Sequence, residues 1–264
     1  IEMQESYQCF LFIADLHALT TVRDKELMQK QTFDLAISYL ALGLDPEKTV
    51  FFKQSDIPEH AELCWIFDAI TTMPFLERAH AWKDAKAKGK KEVTVGLFNY
   101  PILQAADILL YKPDLVPVGQ DQKQHIEMTR DIAQNFNNIF GGETFNLPEE
   151  YIKEDVSVVP GTDGQKMSKS YGNTINIFAP EKELKKQVMG IVTDSTPLEE
   201  PKDPEVCNVY KLYKLIANEE ETQQLAEKYK AGNFGYGHAK TELLNKILEH
   251  FADARIKYLS LRHM

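Results

Sequence analysis

Short apolar runs alternate along this chain with longer stretches in which apolar residues recur at helical spacing. Residues 10–13 and 49–53 have the length and composition of buried strands. Between them, residues 25–42 carry the helical pattern, with Asp24 as a candidate N-terminal cap and Gly43 as a candidate stop. A strand, a helix and a second strand in this order predict a parallel sheet with crossover helices, which is an α/β fold.

The same alternation continues through the middle of the chain. In chain order it predicts helices at 59–82 and 102–111, a strand at 115–118, a helix at 121–137 and a strand at 156–159. In the helix at 121–137, Met128, Ile132 and Phe136 lie four residues apart. They therefore share one face, which we expect to be buried.

The pattern changes towards the C-terminus. Residues 196–204 are rich in proline and acidic residues, and residues 209–262 predict helices separated by a glycine-rich turn at 232–237. We therefore predict two domains, an α/β parallel-sheet domain over residues 1–180 and a helical domain over residues 181–264.

Composition narrows the class of protein. The chain has 264 residues, of which 43% are hydrophobic and 27% are charged, and these are ordinary globular values. Its apolar runs are too short to cross a bilayer and its N-terminus has no signal-peptide pattern, so we expect a soluble protein. The three cysteines, Cys9, Cys64 and Cys207, form no Cys-x-x-Cys pair. This argues against a disulfide framework or a zinc site and fits the reducing cytoplasm.

Charge limits how the chain can bind nucleic acid. A net charge of −10 excludes a protein that binds RNA or DNA through bulk positive charge, so any RNA contact must come from local basic patches. The lysine-rich segment at 83–91 is one such patch. We interpret it as a solvated surface loop rather than a phosphate contact.

The densest functional chemistry lies in one run of five residues: Lys166, Met167, Ser168, Lys169 and Ser170. Two ammonium groups and two hydroxyl groups stand close together here, and Gly161, Gly164 and Gly172 flank them. Lysines offset phosphate charge, hydroxyls donate hydrogen bonds and glycines allow unusual backbone conformations, so the run predicts a mobile loop that closes over a polyphosphate. The alternative interpretation is a solvated basic loop.

A carboxylate stands in an apolar helical segment further upstream. Gln104 and Asp107 are three residues apart and share a helical face, and Asp107 is surrounded by alanine, isoleucine and leucine. A buried carboxylate needs a partner, and the donor group of a ligand is one candidate. A helix N-terminal acid or an ordinary salt bridge is the alternative.

Two further candidates follow predicted strands. Gly119, Gln120, Asp121 and Gln122 stand where a strand gives way to a helix, which is where open α/β sheets bind ligands. Asp121 could accept hydrogen bonds from ribose hydroxyls, although it could also be an ordinary helix cap. His17 follows the first strand, where it suits either a pocket wall or a satisfied core position.

Five segments together resemble the bacterial tryptophanyl-tRNA synthetases, a family of class I aminoacyl-tRNA synthetases. They are residues 12–20, 100–111, 115–127, 130–137 and 166–170, and the likeness extends over nearly the whole chain. The resemblance implies a Rossmann-like catalytic domain at 1–180, a helical anticodon-binding domain at 181–264, a cytoplasmic homodimer and no membrane association. It also implies ATP-dependent charging of tRNA(Trp) with L-tryptophan through an adenylate, with Mg²⁺ on the phosphates.

The resemblance also implies roles for individual residues. Asp107 would accept the indole N–H, and Tyr100 and Gln122 would hold the ammonium end of tryptophan, beside Gln104 and His17 in the pocket wall. Adenosine would be contacted by Gly119, Gln120 and Asp121. Residues 166–170 would close on the phosphates, with Lys166 and Lys169 as the catalytic groups, and no residue of the chain would ligate a metal.

Two departures from the family pattern leave alternatives open. Many bacterial tryptophanyl enzymes have methionine at position 104, and glutamine followed by aspartate three residues later also occurs in tyrosine-specific enzymes. The family's first signature, a His-Ile-Gly-His-like sequence, is not found in these residues. We therefore expect a truncated synthetase that does not activate tryptophan by itself, and a catalytically inactive RNA-binding relative is the further alternative.

Overall fold

The structure is a computed structural model that describes residues 1–79, 82–83, 93–152 and 159–263. The chain divides into two compact units, Ile1–Asp155 and Val156–Met264. Two sequence-based predictions, the strand at 156–159 and the lysine-rich segment at 83–91, lie mostly outside the described residues.

The first unit alternates strands with helices, as the sequence pattern predicts. Its elements in chain order are β1 Cys9–Ile13, α1 Asp15–Ala18, α2 Lys25–Ala41, β2 Thr49–Lys53, α3 Glu59–Ile70, α4 Met73–Leu76, α5 Val95–Leu109, β3 Leu115–Pro117, α6 Lys123–Phe140 and β4 Glu149–Tyr151. Short 3-10 helices occupy Glu2–Glu5, Gln54–Asp56 and Gln120–Gln122.

Both strand pairs of the described residues are parallel. In the first pair, β1 and β2 run in register from Cys9 opposite Thr49 to Ile13 opposite Lys53, and α2 lies between them in sequence. In the second pair, β3 lies beside β4. The predicted parallel α/β arrangement is confirmed. The pattern did not reveal β4, because three residues that include two glutamates carry no apolar run.

Helix boundaries follow from caps and prolines. The cap predicted for α2 is confirmed, since Asp24 Oδ1 accepts a hydrogen bond from the Leu27 N–H at 2.8 Å. The single helix predicted at 59–82 is wrong. The chain leaves the helix after α3 because Thr71 and Thr72 are extended, and Pro74 stands in the first turn of α4, where its missing N–H costs nothing.

The next helix begins earlier than the sequence predicts. Helix α5 starts at Val95 rather than at residue 102, and Thr94 caps it by accepting a hydrogen bond from the Leu97 N–H. The predicted start at residue 102 leaves Pro101 outside the helix, but Pro101 lies inside it.

Helices α3, α5 and α6 form the core of the first unit. Phe67 of α3, Ile102 and Leu109 of α5 and Ile132 of α6 are buried and pack together. The predicted buried face of α6 is confirmed, because Met128 and Ile132 are buried and Phe136 packs against the same cluster. This rigid core fixes the face of α5 that carries the candidate site.

The second unit is helical, as the sequence predicts. Its helices are α7 Glu181–Met189, α8 Asn208–Lys214, α9 Glu219–Ala231, α10 Tyr236–His250 and α11 Ala252–Arg262. The predicted turn between α9 and α10 contains Gly232 at a φ of +75°, and a Cβ there would lie 2.5 Å from the Glu199 carbonyl oxygen. Glycine is therefore required at that position.

The division between the units differs from the predicted domain boundary near residue 180. Met167, Ile175 and Ile177 pack against the core of the second unit, and Arg255 of α11 donates hydrogen bonds to the carbonyls of Ile177 and Ala179. The segment before α7 therefore belongs with the helices. Among the described residues, no helix is long and apolar enough to cross a membrane.

Candidate active site

The first unit contains a buried carboxylate with three hydrogen-bond donors. Asp107 lies near the C-terminal end of α5 and is only 3% exposed. Its Oδ1 is 2.7 Å from Gln54 Nε2 and 2.6 Å from His60 Nδ1, and its Oδ2 is 2.7 Å from His17 Nε2. Because Asp107 is in the last turns of its helix, the interpretation of it as a helix N-terminal acid is wrong.

The donors to Asp107 are themselves held in place. His60 is fully buried in α3, and its Nε2 lies 2.8 Å from the Tyr111 hydroxyl. Gln54 is fully buried and its Oε1 accepts a hydrogen bond from the Leu16 N–H at 3.1 Å. That contact fixes the amide so that its NH₂ group points to Asp107.

Sequence reasoning missed Gln54, His60 and Tyr111. Gln54 directly follows the end of β2, and His17 lies four residues after the end of β1. The rule that strand ends carry ligand-binding residues, already applied to His17, would have found it. His60 carries no such signal, because it reaches Asp107 only through the packing of α3 against α5. Tyr111 follows the end of α5 and is linked to Asp107 only through His60, so its role was not visible without His60.

Tyr100 lies beside this cluster. Its hydroxyl is 2.8 Å from His125 Nε2 on α6, and its ring stands edge-on to His17 with 6.2 Å between the ring centroids. Tyr100 and His17 therefore form one aromatic wall next to Asp107.

The segment Gly119 to Gln122 contacts α5, the helix that also carries Tyr100 and Asp107. Gln104 Nε2 is 3.4 Å from Gln122 Oε1, and Gln122 Nε2 donates to Asp121 Oδ2 at 2.9 Å. A Cβ at position 119 would lie 2.8 Å from Asp121 Oδ1, so glycine permits this close approach. Gln120 is exposed.

Asp121 is not the cap of α6. A 3-10 turn occupies Gln120–Gln122, and α6 begins at Lys123 with Gln122 at the cap position. The interpretation of Asp121 as an ordinary helix cap is therefore wrong. Five of the predicted residues fall into two contact groups in the first unit: His17 with Asp107 and Tyr100, and Gln104 with Gln122. Helix α5 carries members of both groups.

The predicted phosphate loop lies in the second unit and is organised by Asn173, which is buried. Asn173 Oδ1 accepts a hydrogen bond from the Ser168 N–H at 2.7 Å. Its Nδ2 donates to Asp163 Oδ1 at 2.7 Å and to the Lys166 carbonyl at 3.1 Å. One side chain thus ties both ends of the loop. Residue 161 must be glycine, because a Cβ at this position would overlap the Asn173 side chain.

The charged groups of the loop are Asp163, which is held by a hydrogen bond, and two lysines, which are exposed. The hydrogen bond from Asn173 lowers the pKa of the Asp163 carboxyl, so this acid is ionised at neutral pH. Lys166 and Lys169 are exposed, and in the part of the chain that the structure describes neither has an ion-pair partner. Met167 packs inward against the helical core. The backbone is anchored while both ammonium groups remain accessible.

Thiol and metal chemistry find little support in the described residues. Burial, with Asp68 nearby, raises the pKa of Cys64 to about 12, so its thiolate is scarce at neutral pH. Within the described ranges, no three side chains of His, Cys, Asp and Glu are grouped so that they could hold a metal ion.

Comparison with known proteins identifies the family. The family described as tRNA synthetases class I (W and Y) matches residues 1–252. The chain belongs to this family of class I tRNA synthetases. A tryptophan–tRNA ligase of Fusobacterium nucleatum is 57% identical over 257 residues, which cover 97% of this chain and 78% of that protein. A tryptophan–tRNA ligase of Campylobacter jejuni is 51% identical, covering 99% of this chain and 81% of its own length.

A solved structure agrees with this membership. The crystal structure of tryptophanyl-tRNA synthetase from Campylobacter jejuni, complexed with ADP and tryptophan, superposes with a TM-score of 0.93 at 50% identity. The match covers 99% of this chain and 82% of that one. The expected α/β class with a Rossmann-like synthetase fold is thereby confirmed.

Proposed function

We propose that this protein is a tryptophan–tRNA ligase that activates tryptophan with ATP and transfers it to tRNA(Trp). The observation that carries the proposal is the 57% identity, over nearly the whole chain, to a protein with that name. The geometry agrees with it, because a buried carboxylate that only accepts hydrogen bonds suits the N–H of an indole ring.

Tryptophan would bind in the first unit. Asp107 accepts the indole N–H, and Tyr100 and Gln122 hold the ammonium end of the amino acid. Gln104 and His17 complete the wall. Contacts among these side chains support the assignment, since each of the five contacts another of them. His17 contacts both Asp107 and Tyr100, and Gln104 contacts Gln122.

ATP would be held by two segments. Gly119, Gln120 and Asp121 contact adenosine, and residues 166–170 contact the phosphates through Lys166 and Lys169. The ADP bound by the Campylobacter jejuni enzyme supports a nucleotide site of this kind. Mg²⁺ would arrive with the nucleotide, because this ion is commonly held by substrate phosphates and water and needs no dedicated protein cage.

In the proposed reaction the protein positions tryptophan and ATP and stabilises the negative charge of the phosphates. The tryptophan carboxylate attacks the α-phosphorus of ATP, and pyrophosphate leaves with its electron pair. The chain aligns the two reactants, and its lysines stabilise the negative charge on the phosphates. No residue forms a covalent bond with the substrate in this scheme.

Partners and location follow from the same proposal. The helical residues 181–264 would contact the anticodon of tRNA(Trp), and the enzyme would be a cytoplasmic homodimer. Exposed apolar side chains on α3 and α4, which include Trp65 at 73% and Met73 at 62%, support a self-association surface. Sedimentation analysis at several protein concentrations tests the dimer.

Exchange of pyrophosphate into ATP tests the function. The complete enzyme is expected to catalyse exchange that depends on tryptophan. Exchange stimulated by tyrosine and not by tryptophan would replace the assignment with a tyrosine-specific enzyme. Binding of tRNA without exchange from either amino acid would favour an inactive RNA-binding relative.

A further inference from the structure

The donors around Asp107 occupy most, but not all, of the hydrogen-bond acceptor positions of its carboxylate. Its two oxygens offer about four acceptor positions in total. Oδ1 accepts from Gln54 and His60, and Oδ2 accepts from His17. Among the described residues, one position on Oδ2 therefore remains for a ligand donor. This remaining acceptor position has a fixed direction only if the neighbouring side chains hold the carboxylate in one orientation.

The contact from His60 requires one particular tautomer. A carboxylate only accepts, so His60 Nδ1 must carry a proton, and a neutral ring then leaves Nε2 as an acceptor. The Tyr111 hydroxyl lies 2.8 Å from Nε2 and supplies the matching donor. Burial, together with the Asp107 charge, raises the pKa of Tyr111, so the hydroxyl keeps its proton.

Aromatic packing leaves this pair little freedom to move. Tyr111 stacks on Phe10 with 5.0 Å between the ring centroids, and Phe52 packs against both Tyr111 and His60. His60 is fully buried, so an alternative donor from solvent is not within reach of its Nε2. One of the three hydrogen bonds that orient Asp107 therefore depends on a chain of two hydrogen bonds that begins at Tyr111.

We propose that His60 and Tyr111 are positioning residues for tryptophan recognition, because Tyr111 fixes the tautomer of His60 and His60 orients Asp107 so that Oδ2 accepts the indole N–H. This inference rests on the proposed function and adds to it two residues that do not touch the substrate. Its consequence is that both residues affect recognition of one substrate atom, the indole nitrogen.

The test couples protein variants with a substrate that lacks this atom. Benzothienylalanine has a sulfur where tryptophan has its N–H, so it cannot donate to Asp107. We would measure kcat/KM for both amino acids in pyrophosphate exchange at saturating ATP. The variants are Tyr111→Phe, His60→Leu and His60→Asn, whose amide can replace the Nδ1 donor. The control is Tyr39→Phe, a half-buried tyrosine that packs against Phe51.

Expected effects are confined to tryptophan. Tyr111→Phe should lower its kcat/KM about three- to tenfold, and His60→Leu about ten- to hundredfold, while His60→Asn should recover part of the loss. In Tyr111→Phe, kcat/KM for the analogue should change less than about twofold, because the analogue has no indole N–H to donate to Asp107. The KM for ATP and the behaviour of the Tyr39→Phe control should stay at wild-type values.

Two kinds of failure can be told apart. All variants are made in the complete enzyme, and if that enzyme without substitutions shows no exchange with tryptophan, the proposed function falls. If the enzyme is active but Tyr111→Phe lowers activity equally on both amino acids, or on neither, the positioning role of His60 and Tyr111 is wrong. Thermal unfolding identifies a variant of His60 that fails to fold, and Tyr111→Phe then carries the test alone.

Discussion

The Asp107 site and the Lys166 loop are organised in opposite ways. Around Asp107, buried side chains hold a buried side chain, and the backbone takes little part. In the loop, one buried side chain, Asn173, holds the backbone, and the lysines remain exposed. A neutral N–H donor is recognised best by an acceptor whose direction is fixed in advance, whereas phosphate charge is met by cations that remain able to reach it.

The energetic consequences differ accordingly. A buried polar group that loses its partner costs about 1–3 kcal/mol, so changes around Asp107 should affect both folding and recognition. An exposed lysine contributes little to folding because water screens its charge. Variants of the loop lysines should therefore leave stability unchanged and act on the reaction alone.

The largest effect is expected from Lys169→Ala. Loss of one charge that is aimed at the reacting phosphates should lower kcat for adenylate formation about 100- to 1,000-fold. The KM for tryptophan should change little, because the lysine acts on phosphate charge that is strongest in the transition state. Single-turnover kinetics measure this.

Lys185→Ala, an exposed lysine on α7, is the matched control and should keep full activity. If Lys169→Ala kept the wild-type kcat, the loop would be an ordinary solvated surface, and the contrast with the Asp107 site would disappear.

The next largest effect is expected from Asp107→Asn. The amide would present an NH₂ group towards at least one of the donors that now surround Asp107, and it would accept the indole N–H more weakly. Loss of a charge-assisted hydrogen bond corresponds to about 1.5–3 kcal/mol, or about ten- to hundredfold in kcat/KM for tryptophan. Exchange kinetics with each substrate varied in turn should show a much smaller change for ATP. Equal losses for both substrates would make Asp107 a structural residue.

The same contrast explains what the sequence could predict. Residues close together in the chain, such as Asp24 with Leu27 or Gln104 with Asp107, were placed correctly because helical periodicity relates them directly. The loop was recognisable because its chemistry lies within a few consecutive residues.

Contacts between distant residues could not be predicted in this way. His60 is 47 residues from Asp107 and Gln54 is 53 residues from it, so only the packed helices and strands reveal these partners. Asn173 was missed for another reason, since an asparagine after a basic loop has no pattern that separates it from an ordinary turn residue. The division of the chain at 155 rather than 180 depends on apolar packing of the loop segment, which periodicity does not describe.

A smaller effect is expected from Asn173→Ala, which removes three hydrogen bonds from the loop. The lysines would remain but their backbone would lose its anchor, so kcat should fall about tenfold with an unchanged KM for tryptophan. Because the pKa of Asp163 is lowered, its bond to Asn173 is present at neutral pH and is lost only as pH falls through that lowered pKa.

Asn218→Ala is the control for this variant. It removes the cap of α9 and should cost about 1 kcal/mol of stability without an effect on kcat. Thermal unfolding and exchange kinetics, measured on both variants, separate the two outcomes. An Asn173→Ala enzyme with normal kcat would show that the anchor is structural only.

The smallest effect is expected from Gln104→Met, which tests whether the glutamine at this position carries specificity. Its bond to Gln122 is 3.4 Å long, near the outer limit of a hydrogen bond, so the contact is weak. Asp107 and its three donors do not depend on it. We therefore expect kcat/KM for tryptophan to change by about threefold or less. Exchange measured with tryptophan and with tyrosine checks this, and tyrosine should remain inactive in both forms. A tenfold or larger loss with tryptophan would place Gln104 beside Asp107 as a determinant of recognition and would extend the fixed side-chain network along α5.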